Sequence, residues 1–252
     1  MNKRAFSLAL NFRLTWRVSW QASWRVGCRL SWAFSCAAAG LLSHSAHASP
    51  NPNDTRREEV QSCERGELRT WPDGNDRPAA VSAVKLVYRH AGAALQFDEA
   101  TVLGALQRAA AAWATCGIPA EVISEAAALS EPQVVKVQWN EAETRGNFAL
   151  ANLGQRSLSL SAAMFRLLQQ RNPRHPAVQT LQMAVSHEMG HFFGLMAHSR
   201  RCVDVMSYYT DASGATCSTR DGGSYKRVVE YRALLPTACD IARCKAVNNI
   251  AR

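Results

Sequence analysis

The stretch that most limits what this chain can become runs from residue 177 to residue 198. Val178, Leu181, Val185, Met189 and Phe192 step by 3, 4, 4 and 3 residues, a spacing that gathers apolar side chains into one stripe along an α-helix. Pro176 precedes the stripe and Gly194 follows it, so the spacing predicts a helix from about residue 177 to residue 194. His187 and His191 are four residues apart and stand one turn from each other on a different face. Such a helix must be buried along its stripe while two imidazoles remain side by side. Imidazoles so placed can share one Zn²⁺. Glu188 lies next to the first and can face the remaining coordination position, where it would take a proton from a bound water. Gly194 lets the chain swing round and bring His198 to the ion as a third ligand. Three protein ligands leave a place for water, the mark of a catalytic rather than a structural zinc.

The flanking elements are α+β in character. Val84 to Arg89 alternates as a first strand does, and Val135, Val137 and Trp139 alternate with Lys136 and Gln138. A helix starting near Asp98 carries Val102, Leu106, Ala109 and Trp113 on one face, with Gly117 placed to end it. Residues 120–124, 148–152 and 157–161 are shorter strand candidates. Thr237-Ala238-Cys239-Asp240, after Pro236, reads as the capped start of a last helix. Residues 49–80 are polar and rich in turn formers, so they read as an N-terminal extension or short pro-segment, with the globular part spanning 81–252.

The formal net charge of +9 invites a nucleic-acid reading, but its distribution argues against one. Residues 1–48 hold six basic and no acidic side chains; the rest holds 23 basic against 20 acidic, a net of +3, with no basic stripe. The first 48 residues read as an export signal: a basic stretch, an apolar run from about Leu30 to Leu42, and Ala46-His47-Ala48 as a small-x-small cleavage site. Trp16, Trp20 and Trp24 recur every four residues within it. A membrane-surface helix, a long signal and a start codon assigned too far upstream all account for that spacing. No later segment is apolar over a length that spans a bilayer, so the mature chain is expected to be secreted or periplasmic, without stable membrane insertion. Six cysteines remain after the leader: Cys63, Cys116, Cys202, Cys217, Cys239 and Cys244. An even count after an export signal points to three disulfides. Cys202–Cys217, closing a short loop, is the one pairing expected; Cys239 with Cys244 is disfavoured because side chains five apart on a helix diverge.

Taken together, His187-Glu188-x-x-His191-x-x-Gly194, the following His198 and the turn Val205-Met206-Ser207-Tyr208 resemble the metzincin clan of zinc peptidases. Ser199 after the third histidine is similar to matrixins. The Met206-x-Tyr208 pair is similar to astacins and serralysins, and Cys202, the turn and Cys217 together are similar to snapalysin. The resemblance covers roughly residues 81–245 and is specific only over 187–208. It implies a small twisted mixed sheet with two long helices, one of them the active-site helix, then a methionine turn and a C-terminal helix. It also implies that Met206 lies beneath the ion without binding it, that Tyr208 approaches the metal to stabilise an oxyanion, and that the strand at 148–152 borders the cleft. The sequence departs from the clan at one place: the usual third-ligand position is Ala197, and His198 comes one residue late. A bulge in that loop would re-aim His198, with Asp204 the nearest substitute.

The activity this implies is hydrolysis of peptide bonds in protein or peptide substrates, with Glu188 as general base, Tyr208 as the second catalytic group and one Zn²⁺ on His187, His191 and His198. The alternative is an impaired, zinc-bearing peptide-binding module derived from a peptidase. Cys63 reads as a disulfide partner or, less simply, as a latency thiolate. A Ca²⁺ site in the 211–221 loop has no supporting ligand spacing, and oligomeric state is open.

Overall fold

In the computed structural model the described residues are 52–211, 213–222 and 230–251; the expected leader, with its tryptophans, Cys28 and Cys36, lies outside them. Strands β1 (Val84–Tyr88), β2 (Ala120–Ile123), β3 (Val135–Trp139), β4 (Ala149–Asn152) and β5 (Ser157–Leu160) form one sheet in the order β2-β1-β3-β5-β4. The first four neighbours are parallel, and β4 pairs antiparallel with β5 at the edge. Parallel neighbours need a crossover, which α2 (Glu99–Ala114) supplies between β1 and β2. The Asp98 carboxylate caps α2 by accepting from the Thr101 N–H at 2.7 Å.

The core lies between the sheet and the packed pair α2 and α6 (Ala177–Phe192). Val84, Leu86, Val137, Leu158 and Leu160 from the sheet meet Leu106, Trp113, Leu181, Val185 and Met189 from the helices, all essentially inaccessible. Trp113 Nε1 donates to the Ser186 carbonyl at 2.8 Å, so the largest core side chain also fixes α2 against the turn that carries His187. Val178 departs from the expected stripe: it lies in the first turn of α6 and is 44 % exposed.

Two helices occupy ground to which the sequence reading assigned none. Between β5 and α6 lies α5 (Ala162–Arg171), which inserts Phe165 into the core and is capped by Ser161. The N-terminal segment carries α1 (Pro52–Gln61), which packs on α7 (Ala238–Val247). Short turns of helix also form at α3 (Glu125–Ala128) and α4 (Glu141–Thr144). The packed body therefore begins near residue 52, well before the expected boundary at 81. Trp71, within that segment, is 3 % exposed. Thr237 starts α7 with a full capping box to Asp240.

Three disulfides close the body: Cys202–Cys217 as expected, Cys63–Cys239 and Cys116–Cys244. The last two tie α1 and the end of α2 to α7, and they explain how two cysteines five apart on one helix are both used.

Candidate metal centre

The sequence places His187, Glu188 and His191 on α6, and the fold buries that part of the helix. The Nδ1 of His187 lies 2.7 Å from the Val205 carbonyl, and the Nδ1 of His191 lies 2.7 Å from the Leu195 carbonyl. His198 Nδ1 is 2.7 Å from the Asp73 carboxylate. All three partners are acceptors only, so in each neutral ring the proton sits on Nδ1 and Nε2 carries a bare lone pair. Those lone pairs converge. His187 Nε2 and His198 Nε2 are 3.2 Å apart, and the ligand atoms of all three histidines lie within 4.8 Å of one another. Two imidazole lone pairs face to face at that distance repel unless a cation lies between them, so the donor set fits a divalent metal such as Zn²⁺.

Electrostatics favour the ligand form of all three rings. Burial, followed by the neighbouring histidines, holds His187 well below its ordinary value. Burial and then His198 lower His191 to about 4. Burial also lowers His198, against the upward pull of Asp73. Glu188 behaves in the opposite sense: burial pushes its carboxyl up to about 8, offset in part by the Ala151 N–H, which donates to Glu188 Oε2 at 2.7 Å. Oε2 is 4.0 Å from His191 Nε2. Glu188 thus faces the histidine cluster from beside it and is held by the edge strand β4.

The methionine turn lies against the same helix. Met206 is fully buried, and a Cβ built on Gly190 would come within 2.3 Å of its Sδ. Only glycine, between the two histidines, lets the turn sit this close. The Ser199 N–H donates to the Met206 carbonyl at 2.7 Å and the Val205 N–H to Asp240 Oδ2 at 2.9 Å. Tyr208 is 44 % exposed and lies flat over His198, ring centroids 3.6 Å apart at an interplanar angle of 16°. Burial and then the nearby Glu188 carboxylate raise its phenol above the ordinary value.

The one-residue delay of the third histidine is accommodated in the loop after Gly194. The Ala197 N–H donates to Asp76 Oδ1 at 3.0 Å and its carbonyl accepts from Arg243, so Ala197 turns into the body and His198 toward α6. Asp204 is no substitute ligand: it is buried in a separate network, accepting from Ser199 Oγ at 2.6 Å, Thr237 Oγ1 at 2.7 Å and Arg201 Nη1 at 2.9 Å. Cys63 is the partner of Cys239 and offers no thiolate. In the 211–221 loop, Asp211 caps a turn, accepting from the Ser213 and Ala215 N–H groups at 2.9 Å each, and the metal-ligating clusters among the described residues do not include this loop. Asp73 and Asp76 are the polar groups the sequence reading missed. Their only local signal is the turn-forming run 72–78, and Asp73 meets a histidine 125 positions away.

No protein-family model and no curated protein matches this chain. Among solved structures, one chain of a structure described as "GM1 bound form of the ECX AB5 holotoxin" aligns at 11 % identity with a TM-score of 0.39, covering 71 % of this chain and 91 % of that one. A likeness at that level carries no argument about function.

Proposed function

We propose that this protein is an exported zinc-dependent endopeptidase of metzincin type. The observation that carries the reading is the convergence of three bare imidazole lone pairs beside a buried carboxylate that is itself held by the N–H of an edge strand. Among the described residues the donor set is three neutral nitrogens, the number of protein ligands that catalytic zinc sites have. His187, His191 and His198 would hold the zinc, which would supply a Lewis acid to polarise a carbonyl and to acidify water at the site.

The chain's own groups do the rest. Glu188 accepts the proton of the attacking water and delivers it to the departing amine. Tyr208, partly exposed and stacked on His198, offers a hydroxyl to the oxyanion. The free side of β4 accepts an extended peptide as one more antiparallel strand, giving recognition through backbone hydrogen bonds and a preference for unfolded or loop segments. The three disulfides accord with an oxidising compartment, and no helix among the described residues is long and apolar enough to cross a membrane. A binding module without turnover drew its support from the late third histidine, which here lies with the other two.

The test is proteolysis of an unfolded protein by the purified chain. Cleavage stops on adding a chelator and returns with zinc, and the chain binds about one zinc. Glu188→Gln retains the zinc and loses cleavage. Absence of bound metal, or a Glu188→Gln protein that cleaves as fast as the original, removes the proposal.

A further inference from the structure

The ligand loop 194–200 is hydrogen-bonded along its backbone to one distant segment, residues 69–77. Arg77 N–H donates to the Gly194 carbonyl at 3.1 Å, and Trp71 N–H donates to the His198 carbonyl at 2.8 Å. Arg200 N–H donates to the Arg69 carbonyl at 2.9 Å. Two carboxylates cover the N–H groups between. Asp76 Oδ1 accepts from Met196 and Ala197 at 2.9 and 3.0 Å, and Asp73 Oδ1 accepts from His198 at 3.0 Å. Backbone meets backbone without room for side chains: a Cβ on Gly74 would lie 2.5 Å from the Met196 carbonyl oxygen, and one on Gly194 would lie 2.1 Å from that of Arg77. The segment is anchored in turn to α7 by Arg243, which binds Asp76 through Nε at 2.5 Å and Nη2 at 2.7 Å, and by Cys63–Cys239.

The geometry points to residues 69–77 as a built-in part of the metal site, with Asp73 as a positioning residue that aims His198 at the metal. This rests on the zinc reading of the three histidines but not on peptidase activity. Asp73 grips His198 at two points. One oxygen holds the backbone N–H, and the other holds the Nδ1 proton and so fixes the tautomer that presents Nε2 to the ion. The loop with a one-residue delay has no local device for this, since the intervening Ala197 is bound the other way, into Asp76 and Arg243. The segment is therefore retained in the working protein: a cut that released it would withdraw the acceptors for residues 196, 197 and 198 together.

The experiment compares metal affinity, by competition with a chromophoric chelator, for the full chain and three variants. In Asp73→Asn one carboxylate oxygen becomes an amide donor. It either abandons the His198 N–H or faces Nδ1 and favours the tautomer with a proton on Nε2. We expect zinc affinity to fall about 10–100-fold, an altered Co²⁺ absorption spectrum, and a metal-free melting temperature within a few degrees of the original. Asp73→Glu, which keeps the charge and shifts it by one methylene, loses less and serves if the amide variant does not fold. Glu125→Gln, the same charge change on an exposed residue paired with Arg89, leaves affinity unchanged. An Asp73→Asn protein that binds zinc as tightly as the original, or that only melts earlier, overturns the inference while leaving the peptidase proposal standing. A chain that binds zinc and cleaves nothing does the reverse, and a chain that binds no metal removes both.

Discussion

Gly194→Ala probes the junction between the ligand loop and the N-terminal segment, and its cost can be worked from the structure. Gly194 has φ +96°, and a Cβ there would sit 2.1 Å from the Arg77 carbonyl oxygen and 3.2 Å from the Ala79 nitrogen. Left-handed backbone costs a non-glycine residue about 1–2 kcal/mol. Crowding against backbone, which cannot rotate away, adds about 1–3 kcal/mol. Displacing Arg77 also weakens its hydrogen bond to the Gly194 carbonyl, worth about 1 kcal/mol. The sum is roughly 3–6 kcal/mol, a large share of the ~5–15 kcal/mol by which domains are stable. At ~3 °C per kcal/mol for a body of this size, melting falls by about 10 °C or more. Gly66→Ala is the matched control: φ is +87° and nothing lies within 4 Å of the new methyl, so only the backbone term of about 1–2 kcal/mol applies. Thermal melts of the two metal-free variants by circular dichroism isolate the clash, and zinc competition on the same samples reads its effect on His198. If both variants melt within ~3 °C of each other, the tight contact between Gly194 and Arg77 is refuted as a source of stability.

Other outcomes follow from the site and the crosslinks. Glu188 keeps its proton to about pH 8 when folded and metal-free, against an ordinary value of 4.5. The folded state thus binds the extra proton, so its contribution to stability is full below pH 4.5 and is lost as pH rises through 8. Glu188→Gln removes that loss, so its metal-free melting temperature gains on the original as pH rises from 5 to 8, read by scanning calorimetry; a constant difference over that range contradicts a protonated buried carboxyl. Tyr208→Phe keeps the stack on His198 and removes the hydroxyl: zinc content is unchanged and kcat falls by about 10²–10³-fold, whereas an unchanged kcat assigns Tyr208 to packing alone. Replacing Cys116 and Cys244 by serine opens a link between residues 128 apart. By the loop-entropy relation this costs about 4–5 kcal/mol, measurable as a shift of the denaturant midpoint, and a shift below 1 kcal/mol would show that α7 holds its place without the crosslink.

Local pattern alone made much of this protein readable. The apolar stripe of α6 and the face of α2 identified both long helices, and the alternation of 84–89 and 135–139 identified two central strands, because helix and strand periods are written in consecutive residues. The pair His187 and His191, with Glu188 between them, was legible for the same reason: a spacing of four on a helix is already a geometry. The sequence left open what depends on residues far apart meeting. Whether His198 reached the other two turned on acceptors at 73 and 76, over a hundred positions upstream, and a polar turn-rich run gives no sign that its carboxylates are directed at a histidine. The partners of Cys239 and Cys244 stayed hidden because pairing follows the distance between Cα atoms in space. α5, with only Ala162 and Phe165 buried, has too short an apolar face for periodicity to announce. Short-range order fixes which atoms can act; tertiary packing alone decides which of them converge, since the energy that aims His198 comes from hydrogen bonds whose two ends share no local pattern.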